Sequence, residues 1–358
     1  MSGGGYRAML FHVGVLWRLN EAGMLSRLRR VSSVSGGSIT SGVMAMNWGR
    51  LGFDAQGVAQ EFVPQVVAPI RAMAAVNIDI TSVLSGMLMP FTTISERVIR
   101  AYSEHLFGET SLQDLPGAGA PTFVFNATNL ESGVLMRFSK AYAADYRVGR
   151  IPEPDLPLAV AVAASSAFPP FLSPCIVDLG DQNWVTEEGN DLTGPEFRRE
   201  IRLSDGGVYD NLGLETAWKL YSTILVSDAG GSLAPEPDPS ADWGRGLLRV
   251  LHVMDNQVRA LRKRQLVDSF RRRERNGMYV GVRSATADYG LADALPADPA
   301  VTRELADVAT RLTSLDADLQ ERLINWGYVI CDTGLRAHVL PDAAPGRLPY
   351  PTQLLVRG

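Results

Sequence analysis

The chain has 358 residues and a mass of 38.8 kDa, with 46% hydrophobic and 20% charged residues, enough to bury one large core or a core with a modest second lobe. A formal net charge of -5 and a pI near 5.5 exclude a protein whose main task is coating nucleic acid, because phosphate binding leaves a strongly basic footprint. Two cysteines, Cys175 and Cys331, cannot build a disulfide framework, and they have no metal-ligand spacing with the four histidines; neither a metal nor a cofactor is expected.

The first feature along the chain is a glycine run, Gly3-Gly4-Gly5, with no basic and apolar leader after Met1. A loop of this kind is ordinarily positioned by a strand, so a lead strand ahead of residue 3 is an expected but missing part. Residues Ala8 to Ala22 place Met9, Leu10, Val13, Leu16, Trp17 and Leu19 at helical spacing, with Gly23 as the stop. Leu28 to Val34 then reads as a short strand running into Ser35-Gly36-Gly37, and Ser38 to Trp48 returns to a helical pattern. The order is strand, sharp turn, helix.

Residues 50 to 120 are mostly helical and apolar, with Met73, Met87, Met89 and Phe91, and read as a cap or lid or as a plain helical layer. The apolar stretches Val66 to Ile94 and Leu156 to Val177 are interrupted by Arg71 and Asp79 and by prolines, so neither is a membrane span; a soluble or peripheral protein, cytoplasmic or at a membrane surface, is expected. Strand patterns follow at Thr122 to Asn126, Val134 to Ser139, Ile201 to Leu203, Thr223 to Val226 and Met278 to Val282. Helical patterns separate them at Leu156 to Ala167 and Trp243 to Arg275, and a last one runs from Val301 to about Asn325. Strands alternating with helices predict a layered α/β fold with a mainly parallel sheet. One domain over 1–358 is the simplest organisation, with 241–358 as a C-terminal helical extension.

Three segments carry chemistry. Ser33-Val34-Ser35-Gly36-Gly37 resembles a nucleophile elbow with serine at its first position, where small neighbours let strand and helix backbones pass; the bland alternative is a Ser/Gly loop that merely caps the helix. Ser2-Gly3-Gly4-Gly5-Tyr6-Arg7-Ala8 offers peptide amides unobstructed by side chains at a helix start, suited to a phosphate or an oxyanion. Arg7 adds a charge that a substrate phosphate could meet. A dinucleotide fingerprint also fits Gly3, Gly5 and Ala8, but the acidic residue it needs further on is replaced by Arg29, Arg30 and serines. Ile201-Arg202-Leu203-Ser204-Asp205-Gly206-Gly207 puts a carboxylate at a strand end, where it can serve as a base or simply form a turn.

Taken in order, these segments resemble the patatin-like phospholipases, and Gly-Gly-Gly-Tyr-Arg-Ala-Met is similar also to the cytosolic phospholipases that share their fold. Ala164-Ser165-Ser166-Ala167-Phe168-Pro169-Pro170-Phe171 is similar to the small-residue and proline block preceding the Asp strand in that family. The resemblance spans residues 2 to about 213. It implies a three-layer α/β/α fold and hydrolysis of lipid acyl esters, phospholipid or other, through an acyl-enzyme. Carried over by position, Ser35 is the nucleophile, Asp205 the base, Gly4 and Gly5 the oxyanion donors beside Gly3, and Arg7 the phosphate contact. Gly36 and Gly206 support the two turns, and Asn211 supports the Asp loop.

Competing assignments remain at this level. Ser35, Asp205 or Asp228, and His252 stand in the order of an α/β-hydrolase triad, although His252 sits in a helical pattern where a structural role is ordinary. A non-catalytic lipid-binding protein of the same fold is the alternative from another class. Residues 259–275 carry eight basic and two acidic side chains and could meet anionic lipid or simply form a solvated helix face.

Overall fold

A computed structural model describes residues 1–78, 94–170, 172–231 and 233–357. Helix α1, Gly5–Glu21, begins three residues earlier than its apolar periodicity, because the last glycine of the loop already forms its first turn; nearly every one of its side chains is buried. Strand β1, Arg30–Ser33, leads through Val34 and Ser35 into helix α2, Gly36–Asn47. This is the strand, turn and helix expected from the sequence.

The described part of residues 50–120 holds helix α3, Ala68–Ala74, and helix α4, Ile94–Tyr102, each joined to a π-helical turn. Ile70, Met73, Val98, Tyr102 and Phe107 are buried in the main core, so these helices form a packed layer. Met87, Met89 and Phe91 lie outside the described residues.

Strands β2, Thr122–Asn129, β3, Leu135–Phe138, β4, Tyr142–Asp145, and β5, Gly149–Pro152, form an antiparallel meander. Helix α5, Leu158–Ser165, follows, then β6, Cys175–Asp178, and β7, Glu200–Asp205, which pair antiparallel with each other. Two single-turn helices, α6, Gly207–Asp210, and α7, Glu215–Trp218, lead to β8, Thr223–Asp228. The long helix α8, Trp243–Arg271, precedes β9, Asn276–Gly281, which runs parallel to β8. Helices α9, Pro299–Asp307, and α10, Ala317–His338, complete the described fold. The helical pattern expected from Val301 to Asn325 is thus broken by the loop 308–316, resumes at Ala317 and runs on past Asn325 to His338.

The expectation of a mainly parallel sheet is corrected. Among the described residues only β1 with β2 and β8 with β9 are parallel, whereas β2 with β3, β2 with β7, β3 with β4, β4 with β5 and β6 with β7 are antiparallel. Within the β2 to β5 meander the reason is connection length: three to five residues can join only antiparallel neighbours, while a parallel pair needs a long crossover. Strands β4, β5 and β6 are four residues each and too short to register as periodic patterns.

The sheet has one consequence that matters most for the site. Both β1 and β7 lie along the same edge of β2, β1 parallel to it and β7 antiparallel, so their C-terminal ends approach each other head on. Ser33 is paired with Phe125 and Asp205 with Ala127, two positions apart on one strand. The turns that follow these two strands are therefore forced together.

On the far side of β1, residues 1 and 2 occupy the place of the lead strand. The Met1 amino group donates to Ser32 O, Val34 N donates to Met1 O, and Ser2 N donates to Ser227 O, so this stub joins β1 to β8. Helix α10 lies along α1 in extended contact, with backbone meeting backbone: a Cβ on Gly14 would fall 1.9 Å from Ile324 O, and one on Gly327 would fall 2.0 Å from Phe11 O. In the segment 241–358, α10 packs on α1 and β9 pairs with β8. No helix among the described residues is long and apolar enough to cross a membrane.

Candidate active site

Ser35 stands at the apex of the β1 to α2 turn with φ 52 and ψ -123, a left-handed conformation that costs a non-glycine residue on the order of 1–3 kcal/mol. Such strain persists only where the surroundings hold it. Here Ser35 N donates to both oxygens of Ser165, the carbonyl and Oγ, each at 3.1 Å. Gly36, the first residue of α2, has no room for a side chain, since a Cβ would fall 2.2 Å from Gly5 O. The elbow and the glycine loop are thus in direct backbone contact.

Asp205 ends β7 and is 2% exposed. Its Oδ1 accepts from Gly207 N at 2.7 Å, and Thr128 Oγ1 holds its backbone carbonyl at 2.9 Å. Oδ2 is buried without a hydrogen-bond partner among the described residues. Burial pushes the carboxyl up to about 7; the Gly207 amide and the Ser35 hydroxyl act against that rise, and Asp255 adds to it. No hydrogen bond of normal geometry closes between the Ser35 hydroxyl and the carboxylate, and Oδ2 remains open among the described residues. Gly206 lets the turn pass, because a Cβ there would fall 2.2 Å from Asn126 O.

The three loop glycines differ in what they offer. Gly3 N is already used, donating to Asn211 O at 3.3 Å and Asn211 Oδ1 at 3.1 Å, so Asn211 ties the Asp loop to the glycine loop. Gly4 and Gly5 adopt φ 146 and 59, and among the described residues their amides and that of Gly36 have no acceptor. Tyr6 N is taken by Arg311 O at 3.0 Å, which lays residues 308–312 across the start of α1.

Arg7 is bonded by the protein itself. Its guanidinium donates to Ala229 O at 2.9 Å, to Ala306 O, to Val308 O and to Thr310 Oγ1 at 3.0 Å, and the residue is 3% exposed. A fully bonded, buried guanidinium fastens the loop after α9 to α1. The sequence suggested Arg7 as a phosphate contact; here its donors meet loop carbonyls that only the tertiary fold assembles.

Among the described residues no imidazole bonds to Ser35. His12 is fully buried, with Nδ1 2.7 Å from Ser227 Oγ and Nε2 2.9 Å from Ser2 O, and burial holds it down at about 3, a neutral structural histidine. His252 is exposed on α8. Asp228 is occupied by the Tyr279 hydroxyl at 2.7 Å and Gly230 N at 2.9 Å. Among the described residues no group of three or more His, Cys, Asp or Glu is placed to hold a metal ion.

One residue escaped the reading of the sequence as an individual. Ser165, at the end of α5, accepts Ser35 N, and its carbonyl also accepts Gly206 N at 3.4 Å; its hydroxyl donates to Asn126 O at 2.7 Å and lies 2.8 Å from Ser38 Oγ. It holds both turns from one point. The only signal was the small-residue block in which it stands.

The fold and this arrangement define the class. The sequence matches the family described as patatin-like phospholipase over residues 1–218, and the chain belongs to that family. Among solved structures the chain is similar to VipD from Legionella pneumophila, at 15% identity and a TM-score of 0.40 over 94% of this chain and 66% of that one. It is likewise similar to human GIVD cytosolic phospholipase A2, at 14% identity and a TM-score of 0.47 over 94% of this chain and 61% of that one. The chain therefore spans less than two thirds of the length of either. No curated protein sequence matches it.

Proposed function

We propose that the protein is a lipid acyl hydrolase, of phospholipase A or lysophospholipase type, that works through a Ser35-Asp205 dyad. The observation that carries this reading is the convergence of a strained serine and a buried carboxylate with one open oxygen, set beside amides that have no acceptor. As Ser35 Oγ attacks the ester carbonyl, Asp205 takes its proton, and a carboxyl raised by burial is a better base at neutral pH than an ordinary one. The oxyanion of the tetrahedral intermediate is met by the amides of Gly4, Gly5 and Gly36, a donor of this kind contributing on the order of 3 kcal/mol. The intermediate collapses as the protonated Asp205 returns its proton to the departing alcohol. Water then attacks the acyl-enzyme, giving its proton to the same carboxylate, and Ser35 is regenerated with release of the fatty acid.

The test is labelling with a fluorophosphonate probe followed by mass spectrometry of the peptides. Modification at Ser35, lost in Ser35→Ala and strongly slowed in Asp205→Asn, is the expected result. A Ser35→Ala variant with full esterase activity overturns the reading, and complete failure to label favours a lipid-binding protein without catalysis.

A further inference from the structure

Helix α8 is nearly uncovered. Of its 29 residues only Leu266 and Ser269 are buried. Trp243 is 83% exposed, Leu247 52%, Val250 53%, Met254 59% and Leu261 57%; steps of four, three, four and seven residues put these five on one side of a helix. A stripe of large apolar side chains in water marks an interaction surface.

The second half of the helix and the turn after it supply the charge. The chain as a whole is net -5, yet residues 259–275 hold eight basic and two acidic side chains. Arg271 and Arg272 are exposed and make only long contacts, 3.7 Å to Asp268 and 4.0 Å to Glu274. Arg264 and Arg273 are exposed and have no acidic partner among the described residues. An apolar stripe continued by unneutralised arginines complements an anionic lipid surface, with acyl chains for the first half and head groups for the second.

We infer that α8 docks this protein onto anionic membranes by burying the face of Trp243, Leu247, Val250, Met254 and Leu261 in the interface. The helix also packs against α6, the turn after Asp205, where Val208 is 45% exposed. The Asp205 turn thus sits beside the helix that docks. The inference deepens the reading of the protein as a lipid hydrolase but is tested apart from it.

The experiment is vesicle flotation of the full chain carrying Ser35→Ala, so that no lipid is consumed, with phosphatidylcholine vesicles containing or lacking phosphatidylserine. Turnover of a soluble short-chain ester by matched proteins with Ser35 intact reports folding of the site. The protein is expected to float with the anionic vesicles and to lose about tenfold in partitioning when salt is raised from 0.05 to about 0.5 M. A triple variant, Trp243→Ser, Leu247→Ser and Met254→Ser, should lose at least about tenfold while soluble-ester turnover stays unchanged. Arg264→Glu with Arg273→Glu should lose binding to anionic vesicles only. Unchanged flotation of the triple variant overturns the inference, as does an absence of flotation with any vesicle. Self-association through the same face, abolished in the triple variant and unaccompanied by flotation, overturns it in favour of a second copy of the chain. Flotation without soluble-ester turnover would instead leave the docking in place and sink the catalytic reading.

Discussion

Ser35 and Ser165 are joined at two points, the amide of the first donating to the carbonyl and to the hydroxyl of the second, each at 3.1 Å. The same carbonyl accepts Gly206 N, so the end of α5 sets the spacing between the serine turn and the carboxylate turn. Removing the hydroxyl leaves the carbonyl bond but releases Ser38 and Asn126 as well. Ser165→Ala is expected to lower kcat on a soluble ester by roughly ten- to a hundredfold and stability by about 1–2 kcal/mol. Steady-state kinetics beside thermal denaturation check this; wild-type kcat in the variant would show that the hydroxyl does not position the nucleophile.

The carboxyl of Asp205 is pushed up to about 7 by burial, and in the proposed role of base it must be ionised to work. Ester turnover should therefore rise with pH through about 7 and level off above it. The effect on stability has the opposite sense. A folded-state pKa above the ordinary value of 3.8 means that the contribution is fully present below that value and is lost as pH climbs through about 7. Asp205→Asn, having no charge to bury, should gain on the wild type by roughly 2–3 kcal/mol between pH 5 and pH 9. Denaturant unfolding at the two pH values measures it, and parallel pH dependence of both proteins contradicts it.

Arg7 binds the carbonyls of Ala229, Ala306 and Val308, and burial moves it down only to about 10, so it stays charged. Lysine has fewer donors and no fork. Arg7→Lys is expected to lose about 3 kcal/mol of stability without changing the ratio of phospholipid to neutral-ester turnover. A selective loss of phospholipid turnover at unchanged Tm would restore Arg7 as a substrate contact.

Asp332, fully buried in α10, receives Arg18 Nε at 2.7 Å, Gly346 N at 3.0 Å and Arg336 at 3.4 Å. Truncating it strands the buried Arg18 charge, and breaking such a pair costs on the order of 3–5 kcal/mol. Asp332→Ala should unfold at markedly lower denaturant with the same dependence on its concentration. A midpoint within error of the wild type contradicts this.

What could be read from residues alone was local. The helix of Met9, Val13 and Leu16, the turn after β1, and the glycines at 36 and 206 announce themselves because backbone conformation and side-chain period are set by neighbours in sequence. The family resemblance rested on these same short stretches, and it named Ser35 and Asp205 without any information on what separates them.

The tertiary structure decided the rest. Short connections made the β2 to β5 meander antiparallel, and two strands on one edge of β2 ran their ends together at Phe125 and Ala127. That register brings two turns some 170 residues apart together, and the same assembly sets Arg7 in a nest of carbonyls. Strand pairing and the satisfaction of a buried guanidinium depend on partners distant in sequence, which no pattern of neighbours can specify.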